Sequence, residues 1–206
     1  MKTHKISSDF LSLETVAQIL KSKAKLELSE EATAAVVRCR EYLDKKVKES
    51  KVPIYGVTTG FGSLCNTSVS GDDLSKLQSN LVLSHACGMG DEVPQEIVKL
   101  MLLLKVQSLS YGNSGVQLAT IQRLIDFYNK GVYPVVYQQG SLGASGDLAP
   151  LAHLSLPLLN KGEVYYRNKK YPAEEINARF GWKPITLQAK EGLALLNGTQ
   201  FMGAYA

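Results

Sequence analysis

The chain has 206 residues, 45% hydrophobic and 20% charged, with a formal net charge of +4. That is ordinary globular composition, long enough for one good-sized core or two small ones. The only dense basic stretch, Lys45, Lys46 and Lys48, reads as a solvated helix face rather than a nucleic-acid footprint, and the longest apolar run, around residues 100–104, is far too short to span a bilayer.

The polar start MKTHKISSDFLS has no apolar core of a secretory signal. Residues 12–22 place Leu13, Val16, Ala17 and Leu20 on one face, which predicts a short amphipathic helix. Residues 29–49 predict a longer one. Ser29 and Glu30-Glu31 supply its cap and acidic first turn, and lysines crowd its end. Pro53 closes that segment, and IYGVTTGFG follows as a short strand or loop. Residues 72–86 are helical by the spacing of Leu74, Leu77, Leu81, Val82 and His85.

Pro94 opens a helix to about Ser110 that is apolar round most of its cylinder, and therefore buried on several sides. Tyr111-Gly112-Asn113 breaks it, and Ser114 is the expected cap of the next helix, which runs to Asn129. Residues 132–139 are extended, with Pro134 limiting pairing. Helix resumes after Gly146 to about Leu159, a hairpin turns near Asn168 within residues 163–171, and a weak helix covers 173–179. Residues 186–206 are mostly helical but broken near Asn197-Gly198. The fold class is thus mainly α with minor β hairpins. Cys39, Cys65 and Cys87 are odd in number, widely spaced and without a C-x-x-C pair, which suits reduced thiols in a cytoplasmic protein and offers no zinc or disulfide framework.

The densest chemistry lies in GSLGASGDLAPL, residues 140–151. If the backbone bends back on itself, the amide nitrogen of Gly146 can attack the carbonyl of Ala144. Loss of water closes a five-membered ring, and dehydration of Ser145 leaves an exocyclic methylidene. Glycine permits the close approach, serine carries the β-hydroxyl that is eliminated, and alanine adds no bulk. The same residues also suit a glycine-rich turn opening a helix, with Asp147 as N-cap and Pro150 in the first turn. A nucleophile elbow is excluded because G-x-S-x-G would need glycine where Asp147 stands, and no Gly-Lys-Ser/Thr follows to make a phosphate loop.

Four segments in order, YGVTTGFG (55–62), LQSNLVLSHACGMG (77–90), QGSLGASGDLAPLAHL (139–154) and LALLNGTQ (193–200), resemble the signature motifs of the aromatic amino acid ammonia-lyases. The resemblance covers most of the chain from Pro53 onward. It implies a helical lyase N-terminal region plus the start of a central helix bundle, with the catalytic loop at 53–62 and the prosthetic-group loop at 139–150. It also implies that Ala144, Ser145 and Gly146 become a self-formed 4-methylidene-imidazol-5-one, with no metal. Three scattered histidines supply no ligand cluster for a metal-dependent alternative.

By the same resemblance Tyr55 is the base that removes the β-proton, on a loop that Gly56, Gly60 and Gly62 let move over the pocket, with Gly62 on the substrate side. Ser84-His85 matches the histidine type of the family, where tyrosine and phenylalanine types carry His-Leu and Phe-Leu. The expected substrate is therefore L-histidine, eliminated to urocanate and ammonia, with a tyrosine or phenylalanine lyase or aminomutase as the alternative. Asn197 is expected to contact the prosthetic group or substrate, and Asp147 to assist cyclisation beside it. His153 is expected to be structural. Many relatives read Ser-Gly-aliphatic-Arg where this chain has Ser114-Gly115-Val116-Gln117, so a surface ion pair from that arginine is expected to be missing. Pocket residues that the family takes from later in the chain have no match here, and its pockets form where subunits of a homotetramer meet. The chain therefore reads as the N-terminal piece of a longer enzyme, either one part of an active whole or a fragment that only folds or associates. The expected partners are a small-molecule substrate and further copies of the chain, with no nucleic acid and no membrane.

Overall fold

The computed structural model describes residues 2–50, 52–60, 69, 73–140 and 146–206. In chain order the elements are β1 (Thr3–Ile6), α1 (Leu13–Ser22), β2 (Lys25–Leu28), α2 (Glu30–Glu49), α3 (Leu74–His85), β3 (Met89–Glu92), α4 (Gln95–Ser110), α5 (Leu118–Lys130), β4 (Val132–Pro134), β5 (Tyr137–Gln139), α6 (Leu148–Ser155), β6 (Glu163–Tyr166), β7 (Lys169–Pro172), α7 (Ala173–Arg179), α8 (Glu191–Leu196) and α9 (Gln200–Tyr205). A 3-10 turn, Leu156–Leu159, extends α6. The architecture is mainly α, as the periodicity predicts.

α4 is the axis of the core because its sequence leaves it no polar face. Met101, Leu102, Leu103 and Val106 are fully buried, and α2, α5, α9, β1 and β4 pack around it. The amphipathic helices cover this axis with one face each. Serine hydroxyls start two of them: Ser12 accepts from Thr15 N at 3.2 Å and Ser29 from Ala32 N at 3.1 Å.

The small sheets sit at the margins. β4, β6 and β7 form an antiparallel three-stranded sheet, and its hairpin turns on Arg167 and Asn168 with φ of 51° and 60°, the left-handed pair that a two-residue hairpin requires. β3 and β5 pair antiparallel. β1 and β2 pair in parallel, Thr3 opposite Lys25. The polar N-terminus gives no sign of this strand, because only Ile6 in it is buried. Asn129 of α5 completes the β2 edge, accepting from Leu26 N at 2.8 Å and donating to Leu26 O at 2.9 Å.

One expected boundary is wrong. Helix α5 starts at Leu118, with Gln117 as its N-cap, and not after Ser114. Its N-terminus is satisfied from a distance, by Glu191 of α8, which accepts from Gln117 N at 3.0 Å and Thr120 Oγ1 at 2.7 Å. A local serine is unnecessary where a tertiary carboxylate takes the same donors. Cys39 and Cys87 are free thiols. Among the described residues no helix is long and apolar enough to cross a membrane.

Candidate active site

Helices α3, α6, α8 and α9 pack against one another beside α4, and the sequence motifs cluster on their ends. Gly192 lets α8 lie directly on α3. A β-carbon there would fall 2.8 Å from Gln78 O, and the Gly192 amide donates to Gln78 Oε1 at 2.9 Å.

Gly146 and Asp147 lead into this cluster at the start of α6. Ala144 and Ser145 lie outside the described residues, as does Gly62. Gly146 has φ of +78°, and no described atom lies within 4 Å of where a β-carbon would stand; that backbone state favours glycine.

Asp147 occupies the N-cap position of α6, but its side chain does not cap that helix. Pro150 explains this in part, since it removes the N–H that an N-cap side chain would meet one turn on. The carboxylate is 1% exposed. Its Oδ2 accepts instead from Phe201 N at 2.7 Å and Met202 N at 3.1 Å, in the first turn of α9. An anion at a helix N-terminus is favoured by the unpaired amides there.

The opposite charge sits at the opposite kind of helix end. Lys105 of α4 is 1% exposed, and its ammonium donates to Ala194 O at 2.8 Å and Asn197 O at 2.9 Å, the closing carbonyls of α8. Burial pulls its pKa down to about 7, and the nearby Asp147 carboxylate opposes that shift. Lys105 and Asp147 thus hold the two helix ends that meet at Asn197-Gly198-Thr199. Sequence reading passed over Lys105. The signal was a cation set against an unbroken apolar run, LMLLLKV.

Asn197 lies at this elbow, exposed in the single chain, with its amide donating back to Leu193 O at 3.0 Å. His85 ends α3, half-buried. Its Nδ1 is 2.8 Å from Leu81 O and 3.2 Å from Ser84 Oγ. A carbonyl only accepts, so Nδ1 carries the hydrogen, and in the neutral ring Nε2 has the acceptor lone pair. His153 is packed within the fold. Its Nε2 accepts from Gly88 N at 3.0 Å, its ring packs edge-on against Tyr137, and burial lowers its pKa.

Tyr55 is elsewhere. It is 61% exposed, on a turn that Thr58 and Thr59 brace by accepting from Ile54 N and Gly56 N. Val57 of that turn packs with Leu74 at the start of α3. The twelve residues from Leu74 to His85, eleven helical rises, put the two helix ends about 16 Å apart. The fold brings Asp147, Lys105 and Asn197 together and leaves the Tyr55 turn at the far end of α3 from His85.

Gln117 Nε2 donates to Glu191 Oε2 at 2.7 Å and to Thr186 O at 2.9 Å. An arginine at this position would meet a buried carboxylate rather than solvent.

The chain belongs to the aromatic amino acid lyase family, whose sequence profile matches residues 11–206. The histidine ammonia-lyase of Caldanaerobacter subterraneus subsp. tengcongensis is 46% identical over 204 residues, 99% of this chain and 40% of that protein. Crystallographic histidine ammonia-lyase from Trypanosoma cruzi superposes with a TM-score of 0.86 at 36% identity, over 99% of this chain and 39% of that one. Phenylalanine aminomutase of Pantoea agglomerans superposes with a TM-score of 0.89 at 31% identity, over 99% and 39%. The chain thus spans about 40% of the length of the curated relative it matches.

Proposed function

We propose that this chain is the N-terminal portion of an ammonia-lyase of the histidine type, eliminating ammonia from L-histidine to give urocanate. The observation that carries the reading is the Ala144-Ser145-Gly146 tripeptide ending in a left-handed glycine, next to a carboxylate anchored in a buried elbow. Cyclised, the tripeptide would supply an electrophile that makes the substrate amine a better leaving group. The chain's own residues divide the remaining work. Tyr55 takes the β-proton. A phenol titrates near 10 in water, so the assembled pocket must favour its ionised form or the transfer must be concerted. His85 offers Nε2 as acceptor to the N–H of a substrate imidazole, and Asn197 offers its amide to charge developing beside the ring.

The exposure of Tyr55 and its separation from His85 favour a site assembled from more than one copy, in which the tyrosine of one chain closes over the electrophile of another. A homotetramer, as the family resemblance implies, meets that need. The soluble composition and free thiols suit the cytoplasm. Histidine is favoured over tyrosine or phenylalanine by Ser84-His85.

Intact mass and a urocanate absorbance assay test the proposal, on the chain supplied with the C-terminal portion that its relatives carry. The mass should fall by about two waters from the residue sum, and Ser145→Ala should abolish both that loss and turnover. An unshifted mass in the assembled protein would overturn the reading.

A further inference from the structure

A lysine on the buried face of an apolar helix is disfavoured, and its side chain is kept there only when something compensates for desolvation. In this chain the compensation is specific. The Lys105 ammonium holds Ala194 O and Asn197 O, the C-terminal carbonyls of α8. Across the elbow, Asp147 Oδ2 holds Phe201 N and Met202 N, the N-terminal amides of α9. Both groups are 1% exposed. The elbow between them carries Asn197, and Asp147 is bonded directly to Gly146.

We infer that Lys105 is a positioning residue of the lyase site: by holding the carbonyls of Ala194 and Asn197 it sets the place from which the Asn197 amide meets the prosthetic group. The inference rests on the lyase reading given above. Lys105 touches neither substrate nor reacting atoms in this account and acts through Asn197 alone. Lys105 is 1% exposed, and its ammonium is the part that bonds the elbow. Arginine keeps the charge and both donors. Methionine keeps the stem and discards them.

The test uses Lys105→Met, Lys105→Arg, Asn197→Ala and the Lys105→Met/Asn197→Ala double variant, in the chain assembled with the C-terminal portion of its relatives. Helical circular dichroism and melting temperature report the fold, intact mass reports cyclisation, and kcat and KM for L-histidine report the site. Lys105→Met should keep the fold, with a melting temperature close to the parent, and lower kcat about tenfold to a hundredfold, the scale of a small misplacement in a reacting geometry. KM should move little, and Lys105→Arg should recover most of the loss. The double variant should be no slower than Asn197→Ala, because the lysine works through that amide. A Lys105→Met enzyme that turns over normally, or whose defect multiplies with that of Asn197→Ala, overturns the inference. If Lys105→Met fails to fold, Lys105→Gln replaces it in the same cycle, and failure of that variant to fold as well assigns the lysine to stability and overturns the inference too. If the parent neither loses the two waters nor makes urocanate, the lyase reading falls first. A parent that matures beside a Lys105→Met variant indistinguishable from it sinks this inference only.

Discussion

The two ends of helix α8 are each set by a buried charge of opposite sign, and the two are satisfied differently. At the N-terminal end Glu191 is 0% exposed and gathers four donors: Gln117 N, Gln117 Nε2, Thr120 Oγ1 and Gln188 N. All of them are neutral, and they tie α8 to the start of α5. At the C-terminal end Lys105 holds two carbonyls and lies near the Asp147 carboxylate. The first end is saturated. The second is more sparely bonded and lies near Asp147. A buried charge that closes a helix junction completely reads as architecture, whereas one held at a cost beside the proposed site reads as part of it.

Removing Glu191 should have the largest effect on stability. Glu191→Ala strands buried donors at two helix starts, and chemical denaturation should show a loss of about 3 kcal/mol. A loss no larger than a surface substitution would mean that the junction is not held by this carboxylate. Gly192→Ala comes next, because the new methyl would meet the backbone oxygen of Gln78 at 2.8 Å; a cost of about 2 kcal/mol is expected.

The two charges should also give stability opposite slopes with pH. Burial raises the Glu191 pKa, with hydrogen bonds from Gln188, Thr120 and Gln117 working against the rise. The folded chain then binds the proton more tightly than the unfolded one, so this contribution is full below the ordinary carboxylate range and is lost as pH rises through the folded value. Lys105 is pulled down to about 7, below the unfolded value of about 10.4. The unfolded chain binds that proton more tightly, and stability rises with pH between those limits. Denaturation midpoints measured from pH 7 to 10 should rise less steeply in Lys105→Met than in the parent. Parallel curves would show that the lysine is not perturbed.

The smallest effect expected is a gain. Gln117→Arg brings a cation to the buried carboxylate and should stabilise the fold by about 1 kcal/mol. It should also lower the Glu191 pKa and flatten its share of the pH slope. No change in stability would show that the added cation does not reach the Glu191 carboxylate.

Much of this molecule follows from local pattern. α4 is buried because residues 95–110 present no polar face, α2 begins at Ser29 because a hydroxyl stands where an amide needs an acceptor, and the hairpin turns at Arg167-Asn168 because two strand patterns flank it. The motifs carrying Tyr55, His85, Ser145 and Asn197 were equally legible, since each is a run of contiguous residues. The links between distant residues were not. Asp147 looked like the cap of its own helix and serves α9. Glu191 carried no signal and starts α5 from 74 residues away. Lys105 had no role assigned from the sequence and closes α8, while the Tyr55 turn packs at the opposite end of α3 from His85. Sequence by itself determined the helices and marked the Ala144-Ser145-Gly146 tripeptide, because periodicity and peptide chemistry act over a few bonds. Only the tertiary structure decided which buried charge meets which helix end, because unpaired amides and carbonyls take whatever partner the packing brings within 3 Å.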